Sequence, residues 1–325
     1  MVRLWIAVLF AVLAAVPAGA ATLKPDDVNT AELRKRGPGE EKMDPVAIRA
    51  QVILDRTHVS PREIDGRFGD NAKKALAAFA ASKGLDSGAK LTPELWAALM
   101  QQDQAPAIVS YQITKQDLKG PFVRSLPKKM EQMKRLPSLG YTSPREELAE
   151  KFHMSQDLLA ALNPGKSFDK AGEEIFVANV LKPDEKVPQV TKLAVDKNAG
   201  AVQAYDADNH LVGFFPATVG SEDKPTPVGN YKVTSADPNP TYRYNPNYKF
   251  KGVKARKPFT IEPGPNSPVG SYWIGLSVGQ GYGIHGTADP SKVGKTESRG
   301  CIRLTNWDAQ FLGAHVKKGA AVELR

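Results

Sequence analysis

From Gln189 to Arg325 the chain is written in short runs, "TKLAVD", "GAVQAYD", "HLVGFFPATVG" and "GNYKVT", separated by turn signals at Asn198–Gly200 and Asp206–Asn209. Runs of four to eight residues that are apolar or alternate apolar with polar are too short for helices and can bury their apolar side only as strands of a sheet. Apart from one helix after Asn306, residues 189–325 are therefore expected to form a mainly β domain, a β-sandwich or barrel.

The texture upstream is different. Over residues 43–102, Val46, Ala50, Ile53 and Leu54 share one helical face, as do Ala72, Ala75, Leu76 and Phe79, and then Leu95, Trp96 and Leu99. Thr92–Pro93 supplies a cap followed by proline at the first helical position. Three short amphipathic helices predict a small α-helical bundle. Residues 103–139 are broken by proline ("PFVRSLPKKMEQMKRLPSLG") and read as a linker with a partly helical piece. Over residues 140–182, Ser143-Pro144-Arg145-Glu146 is a capping box opening a helix with Leu148 and Phe152 at i, i+4. Ser155 caps a second helix that carries Leu158, Leu159 and Leu162 and stops at Asn163-Pro164-Gly165. The strand-like "EIFVANV" follows, which predicts a small α+β module.

The N-terminus reads "MVRLWIAVLFAVLAAVPAGAATL": one cation at Arg3, an apolar run from Leu4 to Val16, and small residues at Ala18-Gly19-Ala20. This is the pattern of a secretory signal peptide over residues 1–20. The other reading is an uncleaved anchor, against which the run is shorter than the ~20 residues of a spanning helix. No other segment is apolar enough to span a bilayer, so no stable span is expected after cleavage. Residues 21–42 are polar and read as a flexible lead-in. With 44 Lys and Arg against 35 Asp and Glu, the chain carries a net charge of +9. In an exported protein of the periplasm or cell envelope this points to anionic polymers or membrane surfaces, or to a solvated basic surface with no specific partner. The cations are scattered and no nucleic-acid motif accompanies them.

Cys301 is the only cysteine. A lone thiol in an exported chain is an intermolecular link, a buried filler or a nucleophile. His285, sixteen positions earlier, is the side chain suited to promote a thiolate and to move protons near neutral pH. Glycines 281, 283 and 286 surround it, and Gly300 precedes Cys301. Main-chain amides stripped of side chains can approach an attacked carbonyl, and those of Gly300 and Cys301 are the candidate oxyanion donors. His58, His153, His210 and His315 read as surface or turn residues. No HExxH or CxxC spacing offers a metal site, so none is expected. Tyr272 and Trp273 read as core or pocket wall, with Tyr272 a candidate substrate contact.

"IHGT", a spacer and "SRGCIRL" together resemble the signature of the L,D-transpeptidases of the YkuD family, here His285, Gly286, Ser298, Gly300, Cys301 and Arg303. The resemblance extends through "TPVGNYKVT" (226–234), "NPTY" (239–242) and "PGPNSPVGSYWIGL" (263–276). "EIDGRFGDNAKKALAAFAASKGL" with "LTPELWAAL" is similar to the peptidoglycan-binding-domain-1 family, on Ile64, Asp65, Gly66, Gly69, Phe79, Gly84, Leu85, Thr92 and Trp96. The helix pair ending at Asn163 and followed by a strand is similar to the LysM module, with Tyr-Thr-Ser-Pro at 141–144 in place of the usual lead-in and no obvious first strand.

The resemblances imply an enzyme held on the cell wall by its N-terminal modules, with peptidoglycan stem peptides and glycan as partners. Cys301 would attack the amide after the third residue of a stem tetrapeptide and expel D-alanine. His285, oriented by the Gly286 carbonyl, would deprotonate the amine that resolves the thioester into a 3,3 cross-link. Such bond exchange needs no cofactor. Arg303 is either a solvated charge or a contact for a substrate carboxylate. Ser298 either sets the cysteine loop or caps a turn, and it stands with Arg303 and Arg299 among the candidate substrate residues, Arg299 in a supporting electrostatic role. Acylation by carbapenems is implied as well. Water, a D-amino acid or a protein lysine as acceptor would make the enzyme a carboxypeptidase, an exchanger or an anchoring enzyme, and a noncatalytic wall-binding scaffold is the reading outside enzymes.

Overall fold

The N-terminal helices start where proline and polar caps permit. The computed structural model describes residues 23–35, 37–86, 88–182, 185–221, 224–248, 253–279, 281–298 and 300–325, so the leader expected over residues 1–20 lies outside the described residues. The first elements are α1 (Pro25–Asn29), α2 (Pro45–Arg56), α3 (Asp70–Ser82) and α4 (Pro93–Gln102). Proline opens α1, α2 and α4, at a position whose N–H has no partner within a helix. Asp44 caps α2 by accepting from the Val46 amide, and Thr92 caps α4 by accepting from the Leu95 amide. The apolar faces read from the sequence are all buried. No helix among the described residues is long and apolar enough to cross a membrane.

Residues 103–139 do more than link. They supply β1 (Ile108–Gln112) as well as the short α5 (Met130–Met133). Beyond them come α6 (Pro144–Lys151), α7 (Gln156–Leu162) and β2 (Glu174–Ala178), and β2 pairs antiparallel with β1, Ser110 opposite Phe176. Leaving aside the one-turn α5, the result is a β–α–α–β arrangement. Ser143 caps α6 at 3.2 Å from the Glu146 amide, but the Glu146 carboxylate turns back to the amide of Thr142 (2.6 Å) rather than to that of Ser143. Asn163 ends α7 and ties it to the sheet: its amide donates to the carbonyls of Leu159 and Phe176 (2.8 Å each) and accepts from the Phe176 N–H at 2.7 Å.

The C-terminal region holds β3 (Val190–Asp196), β4 (Ala201–Tyr205), β5 (Leu211–Pro216), β6 (Gly229–Pro238), β7 (Tyr242–Tyr244), β8 (Phe259–Ile261), β9 (Tyr272–Leu276), β10 (Gly283–His285), β11 (Ile302–Arg303), α8 (Asn306–His315) and β12 (Val316–Leu324). Eight of these strands form one sheet in the order β11-β10-β9-β6-β12-β3-β4-β5, and β7 and β8 make a separate hairpin. The sandwich of the sequence reading is thus corrected to a single curled sheet. The barrel half of that reading is nearer: past β5, Thr218 pairs with Arg303, N–H to carbonyl in both directions (2.9 and 2.8 Å), which returns the last strand of the order to the first. α8 fills the curl with Ala309 and Leu312, among Leu193, Phe215, Ile274, Ile284 and Ile302.

The modules are not beads on a string. Ile48, Val52 and Ile64 of the N-terminal bundle share a core with Ile108, Leu148, Leu158 and Ile175, while Leu54, Phe79 and Leu95 share another with Ala201 and Phe214 of the β domain. Val59 bridges to Phe214, and Ile64 bridges to Met154. Polar side chains stitch the same seam: Ser60 Oγ donates to Asp308 Oδ2 (2.9 Å), Asn71 Nδ2 to the Val293 carbonyl (2.9 Å), and the His153 ring, 3.0 Å from Asp55, stacks on Trp307 with centroids 5.1 Å apart. His58 and His153 do occupy turn positions, with φ of 60° and 55°, yet their rings pack against α8 rather than face solvent alone.

Candidate active site

Three adjacent strands build the site. β10 runs antiparallel to β9, pairing His285 with Trp273, and parallel to β11, pairing Ile284 with Ile302 and His285 with Arg303. Side chains alternate along a strand, so Ile274, Ile284 and Ile302 enter the core while Trp273, His285 and Arg303 take the opposite face. Cys301 immediately precedes β11, and the register continued by one residue sets it across from Gly283. By the same alternation it shares the face of His285, their Cα atoms roughly 8 Å apart, two residues along and one strand over. Sixteen residues of chain separate the pair; a parallel two-residue ladder reunites them.

His285 is 3% exposed. Its Nδ1 lies 2.6 Å from the Gly286 carbonyl oxygen, which can only accept, so the proton sits on Nδ1 and the lone pair on Nε2. Trp273 stacks on the imidazole, ring centroids 5.7 Å apart and planes 16° from parallel. Burial pushes His285 down to about 4, against the Gly286 bond, and the positive charge of Arg303 lowers it further. Burial likewise pushes the Cys301 thiol up, opposed by the Gly283 amide and by Arg303. The thiol donates to the Gly281 carbonyl at 3.2 Å. The resting pair is therefore a neutral imidazole and a neutral thiol. The imidazolium expected to hold a standing thiolate is not what these surroundings favour, because desolvation penalises both charges.

The cysteine loop is fixed from within. Gly300 has φ of 101°, in the region that favours glycine, so the loop can turn there with little strain. Ser298, 2% exposed, donates through Oγ to the Cys301 carbonyl and accepts from the Gly300 amide at 3.3 Å. Of its two readings this favours setting the loop. The Gly300 amide faces Ser298 across a long bond that a substrate oxyanion would have to displace. Thr226 Oγ donates to the Gly300 carbonyl (3.0 Å) and accepts from the Gly220 amide (2.9 Å), a brace that sequence reasoning did not single out although Thr226 begins the quoted "TPVGNYKVT".

Tyr272 is not brought to the site. It lies on the other face of β9 from Trp273, against the core, where a Cβ placed on Gly313 of α8 would meet its ring at 2.1 Å. Arg299 lies outside the described residues. Arg303 stands beside His285 on the site face, half-buried. Among the described residues, the grouping able to hold a metal ion is Asp206, Asp208 and His210, on the β4–β5 turn and not in the Cys301 loop.

This geometry is that of a half-buried thiol with a neutral, oriented base on one sheet face, a pattern fit for acyl transfer. A family profile described as the YkuD L,D-transpeptidase catalytic domain matches residues 191–324. YkuD of Bacillus licheniformis, named an L,D-transpeptidase, is 32% identical over 181 residues, which is 55% of this chain and 92% of the relative. ErfK/SrfK of Escherichia coli K12, also named an L,D-transpeptidase, is 28% identical over 191 residues, 56% of this chain and 59% of its own length. The crystal structure of L,D-transpeptidase 3 from Mycobacterium tuberculosis in complex with a faropenem-derived adduct superposes on 47% of this chain and 67% of that one, at 19% identity and a TM-score of 0.35. With the sequence match running through both His285 and Cys301, the chain belongs to the YkuD family of L,D-transpeptidases and is an enzyme of that family.

Proposed function

We propose that this enzyme exchanges the terminal D-alanine of a peptidoglycan stem tetrapeptide for the amine of a second stem, forming a 3,3 cross-link through a thioester on Cys301. As sulfur adds to the carbonyl carbon after the third residue, His285 Nε2 takes the thiol proton, and charge develops on the carbonyl oxygen near the amides of the 300–301 turn. Collapse expels D-alanine, whose leaving nitrogen receives that proton. The acceptor amine then gives a proton to His285 as it attacks the thioester, and the thiol is restored when the new amide forms. Arg303, beside His285, would meet a substrate carboxylate.

The reading is supported by the β10–β11 register, which continued by one residue sets Cys301 on the face of His285, and by the commitment of Nδ1 to Gly286, which leaves Nε2 as the base. The β–α–α–β module and the N-terminal bundle support wall binding, the former by its LysM-like order of elements. We place the enzyme in the cell envelope, where stems are found. Incubation with a disaccharide-tetrapeptide and mass spectrometry of the products tests the reading. Release of D-alanine with a dimer linked between third residues is expected. Release without a dimer would make water the acceptor, and no release with retained binding to sacculi would leave a scaffold.

A further inference from the structure

The catalytic histidine does not stand on its own domain alone. Its orienting partner, the Gly286 carbonyl, belongs to a turn pressed against Asn306 at the start of α8: a Cβ on Gly286 would come within 2.2 Å of Asn306 Oδ1, and one on Gly270 equally close. Asn306 Oδ1 accepts from the Ser271 amide at 3.1 Å, and the Gly286 amide donates to the Tyr272 carbonyl at 3.2 Å, so the turn is held between Asn306 on one side and β9 on the other. What fixes the Asn306 amide is not local. Its Nδ2 donates to the carboxyl of Glu150, 3.0 Å from each oxygen, and to the Pro265 carbonyl at 3.1 Å. Glu150 is on α6, in the β–α–α–β module.

One turn earlier on the same face of α6, Glu146 Oε1 accepts from Asn266 Nδ2 at 2.9 Å. Two glutamates spaced i, i+4 thus grip two asparagines, one in the loop that leads into β9 and one that braces the His285 turn. Glu150 and Asn306 are 8% and 1% exposed. A buried side-chain amide whose acceptor is removed keeps its desolvation penalty and reorients, and its neighbours move with it.

We infer that Glu150 is a positioning residue for the reaction: through Asn306 it holds the Gly286 carbonyl, and hence the His285 ring, in the orientation that presents Nε2 to the thiol. The module bearing α6 is then part of the catalytic device as well as a candidate wall anchor. The inference rests on the proposed role of His285 as base. Burial keeps the Glu150 carboxyl up at about 8, so near neutral pH it is a protonated acid, for which glutamine is a close substitute in shape and bonding.

The test uses the full chain with Glu150→Ala, Glu150→Gln and Glu150→Leu, each checked for folding by thermal melt. Two measurements are made: turnover of the disaccharide-tetrapeptide, and the Nδ1–H resonance of His285 in protein labelled with 15N-histidine. In Glu150→Ala, kcat is expected to fall about 10- to 100-fold with KM within about twofold, the scale of a small misplacement of a catalytic group. The Nδ1–H signal should shift or exchange away, and Glu150→Gln should restore most of both. Should Glu150→Ala fail to fold, Glu150→Leu, which keeps the volume and removes the acceptor, carries the same test: a shifted ring signal and lowered kcat against Glu150→Gln support the inference, and wild-type values overturn it. Wild-type kcat and an unmoved ring signal in Glu150→Ala, or a loss carried by KM alone, overturns the inference. A silent wild type would instead defeat the proposed function, and the ring signal would still report on Glu150.

Discussion

Cys301 and His285 illustrate how an environment several strands wide decides the state of a single group. Nearby residues announce the chemistry, since glycine-flanked His and Cys are written in "GIHGT" and "RGCIRL". The protonation states are not written there, because the burial that drives His285 down to about 4 and the thiol up is assembled by β9, β10 and the segment at Thr226. A direct consequence concerns reactivity. A raised thiol is mostly protonated at pH 7, so alkylation of Cys301 by iodoacetamide should be slower there than that of free cysteine, and should climb with pH until the thiol titrates. Fast, flat alkylation between pH 5 and 8 would instead reveal a standing thiolate–imidazolium pair. Cys301→Ala should show no mass increase on incubation with a carbapenem, and His285→Gln should slow that acylation about 100- to 10,000-fold, as read by intact mass over time.

Elements whose partners are near in sequence were legible, and those with distant partners were not. The caps at Thr92, Ser143 and Ser155 and the helix after Asn306 stand where local chemistry places them. β1 was missed because "IVSYQ" is short, sits among proline-rich surroundings and pairs with β2 more than sixty residues later, a distance no window of residues can sense. The parallel pairing of β3 with β12 and the closure through Thr218 and Arg303 escaped for the same reason, and with them the choice of a curled sheet over a sandwich. Which of its two readings Tyr272 takes, core or pocket wall, is set by strand alternation, which sequence gives only once the register is known. Asn163 shows what such ties are worth: replacing it by alanine removes the bond that closes the end of α7 on Leu159 and the donor and acceptor that join it to Phe176 of β2. This should cost about 2–3 kcal/mol in urea-induced unfolding. Ser143→Ala, the loss of one cap, should cost about 1 kcal/mol.

Across the whole chain, buried ionisable groups gather where the modules meet. Burial holds the Asp308 carboxyl up at about 7 and that of Glu150 at about 8, while His153 is held above its usual value: burial lowers it, but the Asp55 carboxylate outweighs that. In each case the folded chain binds protons that the unfolded chain has released, so this contribution to stability is lost as pH rises through roughly 4 to 8. His285, held down at about 4, acts oppositely and removes stability as pH falls below about 6.5. Two carboxyls outweigh one imidazole, so thermal stability should already decline from about pH 5 and fall more steeply between about 6.5 and 8. In Glu150→Gln the decline should be shallower by at most one proton, about 1.4 kcal/mol per pH unit. Shared cores further predict that the three units melt in one transition, which differential calorimetry would read as a single peak. The paired glutamates of α6 also limit how such enzymes can be recombined. A chimera that grafts a foreign catalytic cassette onto these leaders would need amide side chains matching Asn266 and Asn306 at the splice, since otherwise the transplanted active centre would arrive without its buttress.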